Sequence, residues 1–196
     1  MLLKNNIDGS KSRINAVAIG TSAGGIEALG RLLPHIPKGC GKVFLVVQHI
    51  TPDSDSTFVR LIRDKCNIRV REACNTDEII PGTIYFAPPD YHLLVEKNFT
   101  LSLGVDEKIN FSRPSIDVLF ETAAETFRQD LTGILLTGVN RDGSAGLKRI
   151  QQLGGKTIVQ SPEDADFSEM PLSAIKLFKP DQVLTLGEIA DYLRSC

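Results

Sequence analysis

A chain of 196 residues, 42% of them hydrophobic, is long enough for one domain whose core buries roughly 70% of the unfolded surface. With 22 Lys and Arg against 24 Asp and Glu, the formal net charge is −2 and no basic stripe stands out, which argues against nucleic acid as a partner. No apolar run is long enough to span a bilayer, and Met1–Arg13, a polar stretch with Lys4, Lys11 and Arg13, lacks the apolar centre of a signal peptide.

Met1–Arg13 therefore reads as a disordered leader, and residues 14–196 as the folded domain. The apolar run Val17-Ala18-Ile19 has no polar alternation, as expected of a strand covered on both faces. It runs into Gly20-Thr21-Ser22-Ala23-Gly24, which has the G-x-S-x-G spacing of a nucleophile elbow. Ile26, Leu29, Leu32 and Leu33 follow at helical spacing, so Ser22 is expected where a helix opens and free N–H groups favour a developing negative charge. A glycine-rich turn after a first strand equally marks a dinucleotide site. That reading needs an acid at the end of the second strand, for the ribose. The second strand, Lys42–Gln48, ends instead in Gln48-His49, and no G-x-x-x-x-G-K-[ST] run is present.

Strand, helix, strand in this order implies a right-handed crossover and a parallel pair. Ser22 and His49 each follow the C-terminal end of such a strand and should come near one another. His35, between two prolines, reads as a surface loop residue. Thr51–Asp55 is expected to cap a helix whose apolar face holds Phe58, Leu61 and Ile62. Residues 68–73 alternate and read as an edge strand. The short stretches at 83–87, 92–96 and 100–103 read together as an antiparallel excursion. His92 opens one of them and reads as a structural or rim residue. Ser115 is a reasonable N-cap for a helix to about Arg128. Gly133–Leu136 is a third fully buried strand, and it leads into the glycine-rich turn Thr137–Gly143. A strand at 156–160, an acidic loop, a helix from Met170, a strand at 182–185 and a helix at 186–194 complete the chain. The expected fold is three-layered α/β/α, a doubly wound, mainly parallel sheet.

Asp142 follows the third strand, so it shares a sheet edge with Ser22 and His49. Alone it reads as a helix cap. With the other two it completes a nucleophile, a general base and an orienting carboxylate, in the chain order Ser, His, Asp. An α/β-hydrolase runs Ser, Asp, His. Backbone N–H groups at the Ser22 turn, with Thr21, are the candidate oxyanion donors. Arg113 can face a carboxylate or an ester carbonyl. Cys40, Cys66, Cys74 and Cys196 show no C-x-x-C pair and no metal-ligand spacing, which is consistent with a reducing compartment and no metal.

The motifs AIGTSAGG around Ser22, VVQH ending at His49, APPDYHL at 87–93, RPSIDVLF at 113–120, LLTGVNRDG at 135–143 and SEMP at 168–171 together resemble the catalytic domain of the CheB chemotaxis protein-glutamate methylesterases. The resemblance implies Ser22, His49 and Asp142 as catalytic residues, with Thr21, Ala23, Arg113, Gly138 and Val139 as candidates for oxyanion and substrate contacts. It implies γ-glutamyl methyl esters on the cytoplasmic helices of chemoreceptors as substrate, glutamine deamidation by the same acyl transfer, no cofactor or metal, and a cytoplasmic location. Val139-Asn140-Arg141 replaces the family's frequent Met-Gly-x, a departure near the floor of the site. Family members often carry an N-terminal receiver domain, and about 13 residues here precede the first strand; the expectation is either an excised catalytic domain or a stand-alone protein controlled by a separate regulatory protein, by expression or not at all. Two other readings stay open at this point: a catalytically weakened binding module of the same fold, and a nucleotide-binding protein.

Overall fold

The structure is a computed structural model and describes residues 14–49, 57–110 and 112–196. Met1–Arg13 and the expected cap at Thr51–Asp55 lie outside the described residues. The strands β1 (Ala16–Thr21), β2 (Val43–Gln48), β3 (Arg69–Glu72), β4 (Thr83–Phe86), β7 (Leu131–Leu135), β8 (Lys156–Gln160) and β9 (Gln182–Leu184) form a seven-stranded sheet in the order β3-β4-β2-β1-β7-β8-β9. Every pairing in it is parallel. Strands β5 (His92–Val95) and β6 (Leu101–Gly104) form a separate antiparallel pair.

The stretch at 83–87 departs from expectation. It is not part of the antiparallel excursion; β4 lies inside the main sheet between β3 and β2. Its four residues are all buried, which is the signature of an interior parallel strand and not of a half-solvated hairpin arm. The alternating stretch β3 is indeed an edge.

Pleating divides the core into two. Ala16 and Ala18 of β1 join one apolar cluster with Leu45, Tyr85 and Leu135, covered by α3 (Ile116–Phe127), α4 (Ser144–Gln152) and α5 (Glu169–Leu177). Val17 and Ile19 join the other with Phe44, Val46 and Ile134, covered by α1 (Gly25–Leu32), α2 (Thr57–Arg63) and α6 (Leu186–Arg194). Two expected core residues face outward. Ile26 of α1 is 49% exposed and Leu61 of α2 is 58% exposed, whereas Ala28 and Val59 are buried in their place. Helical spacing fixes which residues share a stripe, but the sheet contact decides which stripe is covered.

Strand order reverses between β1 and β7, since the chain winds outward from β1 through β2 and later from β7 through β8. Loops leaving the two halves diverge at such a switch point and open a crevice beyond the strand ends. Thr21 pairs in register with Gln48, and Gly20 with Leu135, so the turns after β1, β2 and β7 all meet there.

Phe120 of α3 is fully buried in the first cluster. Its replacement by Ala should cost about 3–5 kcal/mol, measured as a lower urea midpoint at unchanged m-value. A loss under about 1 kcal/mol would show that this layer repacks freely.

Candidate active site

The turn after β1 is built so that Ser22 projects where α1 begins. Gly24 has φ +76°, a left-handed conformation that L side chains rarely adopt, and a Cβ there would also stand 2.9 Å from an Asp166 carboxylate oxygen. Thr137 stitches this turn to the end of β7. Its carbonyl accepts the Ser22 N–H (3.0 Å) and the Thr21 hydroxyl (3.0 Å), and its own hydroxyl donates to the Ala23 carbonyl (3.0 Å). On the other side the His49 N–H donates to the Thr21 carbonyl (3.0 Å), and Gln48 Nε2 donates to the Ser22 and His49 carbonyls (both 2.8 Å). Ser22 is thereby held between the β2 and β7 turns. Gly138 packs so closely that a Cβ would lie 3.0 Å from the Ser22 Cβ and 2.6 Å from Met170 Cε.

His49 is mostly buried, with 11% of its side chain exposed, and its Nε2 lies 2.8 Å from Asp142 Oδ2. Donation of the Nε2 proton to that carboxylate leaves Nδ1 as the ring's basic atom. Asn140 Nδ2 stands 3.5 Å from Nδ1. The Val139-Asn140-Arg141 segment therefore supplies a polar neighbour to the histidine.

Asp142 is fully buried. A buried carboxylate is costly unless every lone pair is met by a donor. Here the start of α3 meets them: Ile116 N–H at 2.7 Å, Asp117 N–H at 3.2 Å and the Ser115 hydroxyl at 2.9 Å, with Asn110 Nδ2 at 3.4 Å. The two N–H groups belong to the first turn of α3, where helical N–H groups lack an internal partner and the helix dipole is positive. Burial pushes the Asp142 pKa up, but the His49 and Ile116 hydrogen bonds outweigh it and hold it below the ordinary carboxylate value. Asp142 is thus held as an anion against the His49 ring.

The remaining candidates have these places. Thr21 is fully buried and its hydroxyl is engaged by Thr137. Ala23 is half-buried at the turn, and among the described residues its N–H has no bonded acceptor. The Gly138 N–H donates to the Phe167 carbonyl (3.0 Å), while Val139 is 49% exposed. Arg113 uses Nε and Nη2 on Asp90 and Nη1 on the carbonyls of Val105 and Asp106, so it clamps its own loops.

Sequence reasoning gave His92 a structural or rim reading and singled out no role for Asp117. His92 is 1% exposed; its Nε2 faces the Glu107 carbonyl (3.1 Å) and its Nδ1 accepts the Ser115 N–H (3.1 Å), which seats the residue that donates to Asp142. Asp117, beside Asp142, accepts the Gly146 N–H (2.7 Å) and Asn110 Nδ2 (3.3 Å). Burial chiefly, and then the Asp142 charge against the Gly146 bond, raise its pKa to about 7. Asp117 lies in the first turn of α3, and folding sets it against the Gly146 N–H of α4.

A match to the family described as CheB methylesterase covers residues 17–193. A Leptospira interrogans protein, provisionally named a protein-glutamate methylesterase/protein-glutamine glutaminase, is 48% identical over 90% of this chain and 91% of its own length. A protein-glutamate methylesterase/protein-glutamine glutaminase of Xanthomonas oryzae is 36% identical over 89% of this chain but 50% of its own length, so the chain spans about half of that relative. The crystal structure of the Thermotoga maritima CheB methylesterase catalytic domain superposes with a TM-score of 0.88 at 31% identity, covering 93% of this chain and 98% of that one.

Asp117 supplies a test of these electrostatics. An unfolded aspartate ionises near pH 4, whereas the folded Asp117 keeps its proton to about 7. The unfolded state therefore releases its proton first, and this group lowers stability as pH rises from about 4 to 7. Asp142, held low, contributes stability that is lost on acidification. Asp117→Asn removes the first effect alone. The variant should gain stability over wild type between about pH 5 and pH 7.5, by on the order of 1–3 kcal/mol, read from urea unfolding at each pH. A difference that is flat with pH contradicts the assignment.

Proposed function

This chain belongs to the CheB methylesterase family, and we propose that it hydrolyses γ-glutamyl methyl esters of chemoreceptors through Ser22, His49 and Asp142, and deamidates receptor glutamines by the same route. The observation that carries this reading is the His49–Asp142 hydrogen bond of 2.8 Å at the crevice where Ser22 is held. A serine hydroxyl is a weak nucleophile near neutral pH and needs a base to take its proton as it attacks. Nδ1 of His49, with only the long Asn140 Nδ2 contact (3.5 Å) beside it among the described residues, is the basic atom for that task. Asp142, an anion in a buried site, stabilises the imidazolium as it forms. The oxyanion develops beside the opening of α1, where the Ala23 N–H and the helix dipole favour negative charge.

Attack by Ser22 Oγ on the ester carbonyl gives a tetrahedral intermediate. His49 returns the proton to the departing oxygen, methanol leaves and an acyl-serine remains. Water, deprotonated by the same imidazole, then releases glutamate and restores Ser22. With a glutamine side chain the leaving group is ammonia and the product is again glutamate. No step calls on a redox or group-carrying cofactor. The chemoreceptor as substrate is supported by membership of the CheB family, and the names of the relatives support glutamate esters and glutamines of a protein as the groups acted on. Among the described residues no helix is long and apolar enough to cross a membrane.

Ser22→Ala should lower methanol release from methylated chemoreceptor membranes by roughly 10⁴-fold or more, and His49→Ala nearly as much, because the three groups act as a unit. Circular dichroism checks that both variants fold. Undiminished release in either variant removes that residue from the mechanism.

A further inference from the structure

Beside the Asp142 network, between the start of α4 and one face of α5, lies a groove of about 630 Å³. It is lined by Asn110 and Asp117, which touch the Asp142 network, and by Arg141, Ser144, Ser173 and Lys176. Asn110 joins groove and site directly, with Nδ2 3.4 Å from Asp142 Oδ1. The groove thus begins one side chain away from Asp142.

Its charge is one-sided. Arg141 and Lys176 are exposed, and among the described residues neither has a carboxylate partner; Arg141 makes only a long contact from Nε to Asn110 Oδ1 (3.4 Å). Of the other arginines, four hold carboxylates: Arg71, Arg113, Arg149 and Arg194 pair with Asp77, Asp90, Glu125 and Asp191. Asp117, the acid in the lining, is turned inward onto the Gly146 N–H and does not neutralise the two cations. Ser144 adds a buried hydroxyl with no protein partner among the described residues, at the first position of α4, where Gly143 provides no side-chain cap.

We propose that this groove receives a carboxylate side chain of the substrate polypeptide, an Asp or Glu neighbouring the residue under attack, held by Arg141 and Lys176. The inference rests on the esterase reading above and adds a specificity subsite to it. Both reactions end in glutamate, so each turnover leaves a new carboxylate on the substrate surface. An enzyme with an acid-binding groove beside the carboxylate that orients its base therefore engages a partly processed segment better than an uncharged one. Such a contact between exposed charges acts through encounter and binding more than through chemistry, and it is screened by salt.

Lys176 is the position to test, because Arg141 adjoins Asp142. Steady-state methanol release is measured on methylated receptor membranes and on a small N-acyl glutamate γ-methyl ester amide that carries no neighbouring acid. For Lys176→Glu, KM on the receptor should rise about tenfold with kcat nearly unchanged, and the small ester should be turned over as by wild type. Lys176→Arg should restore the receptor KM. Raising NaCl to about 0.5 M should increase the wild-type KM and leave that of Lys176→Glu almost flat. An unchanged receptor KM in Lys176→Glu overturns the proposal, and so does an equal loss of kcat on both substrates. Should wild type hydrolyse neither ester, the esterase reading falls by itself. Cosedimentation of wild type and Lys176→Glu with the same membranes then decides the groove: weaker binding of the variant supports it, and equal binding overturns it.

Discussion

A carboxylate with no exposure to water sits at the centre of this structure. Asp142 is tolerated in the interior because α3 begins against it: two first-turn N–H groups and the Ser115 hydroxyl converge on its oxygens, and the His49 ring supplies the remaining strong donor. Removing any one of these partners would leave a buried lone pair unmet, at a cost of about 1–3 kcal/mol or more for a charged group. The neighbouring architecture follows from that requirement. Pro114 and Ser115 must deliver α3 to this spot, His92 must fix the Ser115 backbone, and the turn after β7 must bring Asp142 back over the sheet.

The sheet decides why these groups can meet. Parallel strands place their C-terminal turns along one edge, and the change of winding direction between β1 and β7 keeps the following helices from covering it. Thr137 then acts as the rivet between the two halves, accepting from Ser22 and Thr21 and donating to Ala23. The two apolar clusters on either face make the strands rigid supports, so the site needs little rearrangement before it can react. The same geometry sets two carboxyl groups of opposite temper side by side. Asp142 is kept ionised by helix N–H groups and His49. Asp117, buried with fewer donors and a negative neighbour, keeps its proton to about pH 7. Below about pH 7 a second full negative charge against Asp142 is thereby avoided.

Much of this was legible in the sequence, for physical reasons that differ by residue. The uninterrupted apolar runs at β1, β2 and β7 could only be doubly covered strands, and their order forces Ser22, His49 and Asp142 onto one edge. What stayed hidden depended on partners distant in the chain. The stretch that became β4 is too short for periodicity to separate a hairpin arm from an interior strand, and its neighbours β3 and β2 are brought to it only by folding. Ile26 and Leu61 belong to apolar stripes by spacing, yet the sheet contacts a stripe centred elsewhere. Ser115 read as a helix cap and is one, but its second task, donating to Asp142, spans 27 positions. Asn110 is a polar loop residue with no local signal of the site it supports, and the structural reading of His92 did not disclose Ser115 as its partner.

The claim on which the rest depends is that Ser22 is the nucleophile activated by His49 and Asp142. The most direct measurement is to treat the folded protein with a fluorophosphonate, which phosphonylates serines made nucleophilic by a neighbouring base, and to map the adduct by peptide mass spectrometry. A single adduct on Ser22, lost when the protein is unfolded before treatment and strongly slowed in Asp142→Asn, is the result predicted. A protein that hydrolyses the methyl ester while Ser22 stays unmodified, or that is labelled equally well when unfolded, would contradict the account.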